Sequence, residues 1–109
     1  MFYECFSLKN MNELKYLDTK DVTNFSGMSI WCSLLSDIKA LQNWNVSNGI
    51  NFEGMFSECS SLSEIKGFQN WNVSNGNNFS WMFFKCSSLS DIKALENWNV
   101  SKYQFSNMF

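Results

Sequence analysis

Residues 43–69 contain Asn43-Trp44-Asn45-Val46-Ser47-Asn48-Gly49, then Asn51-Phe52, Met55-Phe56, Cys59-Ser60-Ser61-Leu62-Ser63 and Ile65-Lys66. The next 27 residues, 70–96, hold the same residue types in the same places, and the two stretches are identical at 18 of 27 positions without a gap. The step reaches outward in both directions. Trp44, Trp71 and Trp98 obey it, as do Cys5, Cys32, Cys59 and Cys86. So do Leu8, Leu35, Leu62 and Leu89; Met1, Met28, Met55 and Met82; Phe25, Phe52 and Phe79; and Ile38, Ile65 and Ile92, with Met11 in the first unit. Agreement of this density is not chance, and a fixed period of this length marks a repeat array. The last unit is one residue short: Phe105 follows Trp98 by seven residues, where Phe79 follows Trp71 by eight.

A period of 27 residues suits one coil of a solenoid, made of two short straight runs and two corners. The reading is therefore α/β: a right-handed solenoid of about four coils, with short strands and single helical turns. It forms one array over residues 1–109, in phases 1–15, 16–42, 43–69, 70–96 and 97–109. Leu62 to Lys66 alternates in the manner of a strand around Ile65, and Trp44 to Ser47 is a second extended candidate. Asn48-Gly49 and Asn75-Gly76 read as turns that accept positive φ. Phe52, Met55 and Phe56 are spaced for one turn of helix. Each unit then offers Trp44, Val46, Phe52, Met55, Phe56, Cys59, Leu62 and Ile65, or their equivalents, to an interior that only stacking can bury. Both ends fall in mid-repeat, at Met1-Phe2 and Met108-Phe109, so the chain reads as a piece of a longer array.

Composition excludes more than it proposes. The 109 residues amount to one domain, with 11 Phe, 5 Trp, 3 Tyr, 15 Asn and 17 Ser, and with no Pro, Arg or His. Without His the commonest general base and metal ligand is missing. Without Arg, and at a net charge of −2, nothing marks a nucleic-acid footprint. Serines are plentiful, but no base accompanies them, and the carboxylates recur in every unit, where an active site should break the repeat once. There is no Gly-rich phosphate loop. The reading is not an enzyme, with no cofactor and no metal. The longest apolar run, Trp81-Met82-Phe83-Phe84, is too short to span a bilayer, and no signal peptide opens the chain.

The block Met-Phe-x-x-Cys-Ser-Ser-Leu occurs at Met55 to Leu62 and at Met82 to Leu89; Ser29 and Phe6 depart from it in the earlier units. Together with Leu62-x-x-Ile65 and the Asn-Trp corner, it resembles the repeat of BspA-like leucine-rich-repeat surface proteins. The resemblance covers essentially the whole chain. It implies a leucine-rich-repeat fold, a cell-surface or secreted location, and adhesion to host proteins or to other cells. The expected function is a non-enzymatic protein-binding module of an adhesin-like protein. An intracellular scaffold array is the alternative, and the absent signal is its main argument.

Two kinds of residue are candidates for partner binding. Asp37, Glu64 and Asp91 form one outward column and Lys39, Lys66 and Lys93 another, flanking the Ile positions. They make a self-neutralised polar ribbon that is either plain solvated surface or a ligand face. The second kind comprises large residues that break the repeat: Tyr3, Phe6, Trp31, Trp81 and Phe84. Of these, Trp31, in the place of Glu58 and Lys85, and Phe84, in the place of Ser57, are the chosen anchors.

Three further expectations follow. Cys5, Cys32, Cys59 and Cys86, with Trp44, Trp71 and Trp98, form structural ladders; the cysteines are read as buried free thiols, with disulfides or a metal as alternatives. Asn45, Asn72 and Asn99 lie in Asn-x-Ser sequons, as do Asn24 and Asn78, and are read as a corner ladder of side-chain hydrogen bonds rather than as glycan sites. Finally, Met1, Phe2, Cys5 and Leu8 at one end, and Trp98, Val100, Phe105, Met108 and Phe109 at the other, are expected to be exposed and to drive head-to-tail self-association.

Overall fold

The computed structural model describes residues 15–27 and 39–109. The repeat survives as contact register. Phe25 stacks on Phe52 and Phe52 on Phe79, each pair with ring centroids 5.3 Å apart and nearly parallel planes. Trp71 stacks on Trp98 at 6.4 Å, and each of these indoles donates to a carbonyl 30 residues back, Trp71 Nε1 to Leu41 at 3.3 Å and Trp98 Nε1 to Phe68 at 2.8 Å. The eight interior positions read from residues 43–69 are all buried. At roughly 1.5–3 kcal/mol for each large side chain, this column dominates the folding energy.

The backbone is a different matter. The α/β, leucine-rich-repeat-like right-handed solenoid with short strands is corrected: among the described residues no strand is present. The bridges with both residues described are isolated and parallel, Asn24 with Asn51 and Asn51 with Asn78. The regular elements lying wholly within those residues are two 3₁₀ helices, Lys66–Asn70 and Lys93–Asn97, and one short α-helix, α1, Lys102–Asn107. The chain forms a compact body with a radius of gyration of 12.7 Å, close to the ~13 Å of a single domain this long.

Two physical causes remove the strands. First, alternate N–H groups serve different partners. Phe52, Gly54, Phe56 and Glu58 donate to the carbonyls of Asn78, Ser80, Met82 and Phe84 in the next unit, at 2.6–2.9 Å. The N–H groups between them, of Met55, Ser57 and Cys59, turn back to Phe52, Gly54 and Phe56 at 3.0–3.2 Å. Such a segment is a ladder of turns, neither strand nor helix. The positive φ of Gly54 (60°) and Glu58 (63°) also interrupts any helical run there. Second, side chains capture the backbone two residues on. Asn45 Oδ1 accepts from Ser47 N, Asn72 Oδ1 from Ser74 N, Glu64 Oε1 from Lys66 N and Asp91 Oδ1 from Lys93 N. Asx-type turns of this kind compete with ladder bonds. The expected strand at Leu62 to Lys66 therefore ends in a 3₁₀ helix, with Ile65 and Ile92 as N-caps of the two helices; Ile38 lies outside the described residues.

Gly49 and Gly76 were expected to supply positive φ, but that role falls to Gly27 (81°) and Gly54 (60°). Gly49 and Gly76 are glycines for space: a Cβ at Gly49 would collide with Cζ of Phe52, and one at Gly76 with Cζ of Phe79. The aromatic column rests directly on bare backbone there.

Candidate functional site

The polar ribbon is built by the two 3₁₀ helices. Each Ile side chain is drawn inward, Ile65 to 1% exposure, which turns the residues on either side of it outward. Glu64, Lys66, Asp91 and Lys93 are all exposed. With Gln69 and Ala94 they line one shallow cleft between neighbouring units. The Glu64 carboxylate accepts the Lys66 N–H at 2.6 Å and the Asp91 carboxylate the Lys93 N–H at 3.0 Å, so the acids are held down while the lysines reach outward. Lys39 is exposed as well, and Asp37 lies outside the described residues.

The second candidate is an aromatic corner. Phe84 is half-buried, and Trp81 stacks on it with ring centroids 5.2 Å apart and planes at 27°. Lys85 Nζ sits 5.3 Å from the Phe84 ring centroid. Trp81 itself is 58% exposed. Trp31, the other chosen anchor, lies outside the described residues. Trp81 also breaks the repeat pattern but is not one of the two anchors that the sequence singles out. The signal that could have found it is positional: it stands 27 residues after Gly54 and 54 after Gly27. All three adopt positive φ, Trp81 at 58°. A tryptophan in the left-handed region is uncommon and strained.

The cysteine column needs a correction. Cys86 is a free, buried thiol that donates to the Phe56 carbonyl at 3.1 Å. Burial pushes its pKa up, and a backbone hydrogen bond from Cys59 works against that shift. Cys59, however, is disulfide-bonded, with its partner outside the described residues, so the reading of Cys59 as a free thiol does not hold. Cys5 and Cys32 lie outside the described residues too.

Two more readings change. Asn45 and Asn72 are exposed and close their own turns; at this corner it is Asn48, donating to the Lys20 carbonyl, and Asn75, donating to the Ser47 carbonyl, both at 2.7 Å, that cross between units. The apolar C-terminal cross-section is mostly covered. Trp98 and Met108 are buried, Val100 and Phe105 are half-buried, and Phe109 is exposed and stacked at 6.0 Å on Phe83. Helix α1 provides this cover, tied back by Trp81 N–H to Asn107 O and Phe83 N–H to Met108 O, both at 2.8 Å.

Among the described residues no three His, Cys, Asp or Glu side chains gather to hold a metal, and every buried side-chain nitrogen and oxygen has a hydrogen-bond partner. Among the same residues no helix is long and apolar enough to cross a membrane.

No curated protein and no solved structure matches this chain. The family described as "Mycoplasma protein of unknown function, DUF285" matches residues 1–109. The match spans every repeat phase, and the chain belongs to that family.

Proposed function

We propose that the chain is a non-enzymatic protein-binding module of a cell-surface, adhesin-like protein. The reading rests on the resemblance of its repeat to BspA-like surface repeats. The observation that carries it here is the outward ribbon: Glu64 and Lys66 in one unit, Asp91 and Lys93 in the next, all exposed around one cleft. The interior of each unit is used up in stacking, so the outward positions are the ones free to vary in chemistry without disturbing the fold. A ribbon alternating in sign suits a partner with a matching alternation, and such pairing sets specificity and on-rate more than affinity.

The test has two arms. Protease treatment of intact cells, followed by detection of the chain, tells surface exposure from an internal scaffold; the proposal expects the chain to be cleaved. Purified chain immobilised on a sensor is then presented with surface-protein extracts, beside a Lys66→Glu, Lys93→Glu variant. The proposal expects capture that weakens as salt rises and falls about tenfold or more, ~1.4 kcal/mol, in the variant. Capture that ignores both salt and charge reversal removes the ribbon as the binding face.

A further inference from the structure

We propose that the Trp81–Phe84 corner is a second binding site, whose ligand is a neutral saccharide stacked on the outer face of the Trp81 indole. The site goes beyond the protein-binding reading and shares no residue with the polar ribbon.

The fold does not need this tryptophan. Gly54 and Gly27 occupy the equivalent places and hold the same left-handed turn at φ 60° and 81° without a side chain. Those places face open space: an added Cβ meets nothing within 4 Å at Gly27 and only the Ser57 Cβ, at 3.8 Å, at Gly54. One unit alone puts an aromatic there, and the same unit puts Phe84 where the previous one has Ser57. Two aromatic replacements at one corner produce an indole supported from below by Phe84 and open above, at 58% exposure. A strained residue left more than half exposed points to a role outside the fold.

The surroundings select the ligand. Ser80, immediately before Trp81, receives a hydrogen bond on Oγ from Asn107 Nδ2 at 3.2 Å; both residues are partly exposed, so hydroxyl and amide groups border the corner. The charged side chain placed against the corner is that of Lys85. Lys85 adjoins Phe84, and Glu58, whose N–H bonds the Phe84 carbonyl at 2.6 Å, is the backbone neighbour from the preceding unit. A phosphate or a nucleic acid would want more than one lysine. A cationic ligand would meet the Lys85 ammonium already lying over the Phe84 ring. What remains is a flat, uncharged ligand with one apolar face and a hydroxylated rim. A pyranose ring fits: its axial C–H bonds pack on the indole face while its equatorial hydroxyls reach the Ser and Asn groups.

The experiment uses the full chain and a panel of short neutral oligosaccharides of glucose, galactose, mannose and N-acetylglucosamine. Binding is read by titration calorimetry and by tryptophan fluorescence. At least one sugar is expected to bind and to alter the emission of an exposed indole. Trp81→Gly and Phe84→Ser, each the residue that the preceding unit carries, are expected to weaken that binding about tenfold or more. Both variants should keep the native circular dichroism, and Trp81→Phe should retain most of the affinity. Failure of every sugar in the panel to bind overturns the proposal, as does equal binding by Trp81→Gly. So does loss of a protein ligand in Trp81→Gly with no sugar bound, which would make the corner a protein anchor. Loss of protein capture in the Lys66→Glu, Lys93→Glu variant with sugar binding intact separates this site from the ribbon.

Discussion

Phe52 lies flat on Phe79, with ring centroids 5.3 Å apart and planes within 2° of each other. The backbone sets that spacing: the Phe52 N–H bonds the Asn78 carbonyl at 2.8 Å, and Asn51 and Asn78 form a parallel bridge. Rings held by this register have no freedom to slide, so the middle ring is the most costly to lose. Phe52 touches Phe25 on its other face and is fully buried. Phe52→Ala should cost about 3–5 kcal/mol and Phe52→Leu about 1–2 kcal/mol, since leucine refills part of the cavity. Urea unfolding followed by fluorescence measures both. Equal costs for the two would mean that the stacking geometry, not the filled volume, sets the energy.

Gly76 is the floor of the same column. A Cβ there would collide with Cζ of Phe79 and stand 3.1 Å from Cε2 of Phe52. Both rings are locked in the stack and have nowhere to move. Gly76→Ala should therefore destabilise by about 1–3 kcal/mol, the range for overpacking, even though alanine has the better intrinsic backbone propensities. Gly76→Ala combined with Phe79→Leu should recover part of the loss. A neutral Gly76→Ala would show that the turn can shift outward and that the column does not rest on it.

How much of this was legible in the sequence depends on which kind of residue carried the signal. Apolar residues at a fixed step, from Trp44 to Ile65, stated directly what would be buried, because burial follows residue type. The backbone was harder to read. Leu62 to Lys66 has the alternation of a strand, but Glu64 uses its carboxylate on the Lys66 N–H and starts a 3₁₀ helix instead. The same competition by Asn45 and Asn72 was present in the sequence as Asn-Val-Ser, a polar residue two positions ahead of a backbone N–H it can capture. Ser101-Lys102-Tyr103-Gln104 is a capping box, readable in advance as the start of α1, where Ser101 Oγ accepts the Gln104 N–H at 3.1 Å. The aromatic corner was half legible. Phe84 broke the pattern visibly, but the significance of Trp81 required knowing that its repeat position demands positive φ.

Cys86 should be chemically quiet. Its thiol is buried, donates to the Phe56 carbonyl and has a pKa raised by loss of solvation. At pH 8 the native thiol should alkylate far more slowly than in denaturant, where its pKa returns to about 8.5. The raised value also fixes a sign. Above the unfolded pKa, the folded chain keeps a proton that the unfolded chain has lost, so stability falls as pH rises from about 8.5 through the folded pKa. Peptide mapping adds a check on its column neighbour: the Cys59 peptide should take up label after denaturation only if a reductant is present. Rapid native labelling of Cys86 would show that the column opens.

The last prediction concerns Trp81 and Gly54, which hold the same left-handed turn at φ 58° and 60° with very different side chains. For an L residue that conformation costs about 1–2 kcal/mol, which Gly54 avoids. Trp81 offsets part of the cost by stacking on Phe84, an arrangement worth about 0.5–1.5 kcal/mol. Trp81→Gly removes strain and stack together and adds the larger backbone entropy of glycine, so its net effect on stability should stay within about 1 kcal/mol of zero. Gly54→Trp faces Ser57 instead of a phenyl ring and gains no stack, so it should cost the full strain, about 1–2 kcal/mol. Adding Ser57→Phe to Gly54→Trp should return about 0.5–1.5 kcal/mol, a coupling that a double-mutant cycle reads directly. Zero coupling would mean that the indole and the phenyl ring stabilise nothing between them. A large loss in Trp81→Gly would mean instead that the indole serves the fold itself, leaving no reason to look outside the molecule for what it touches.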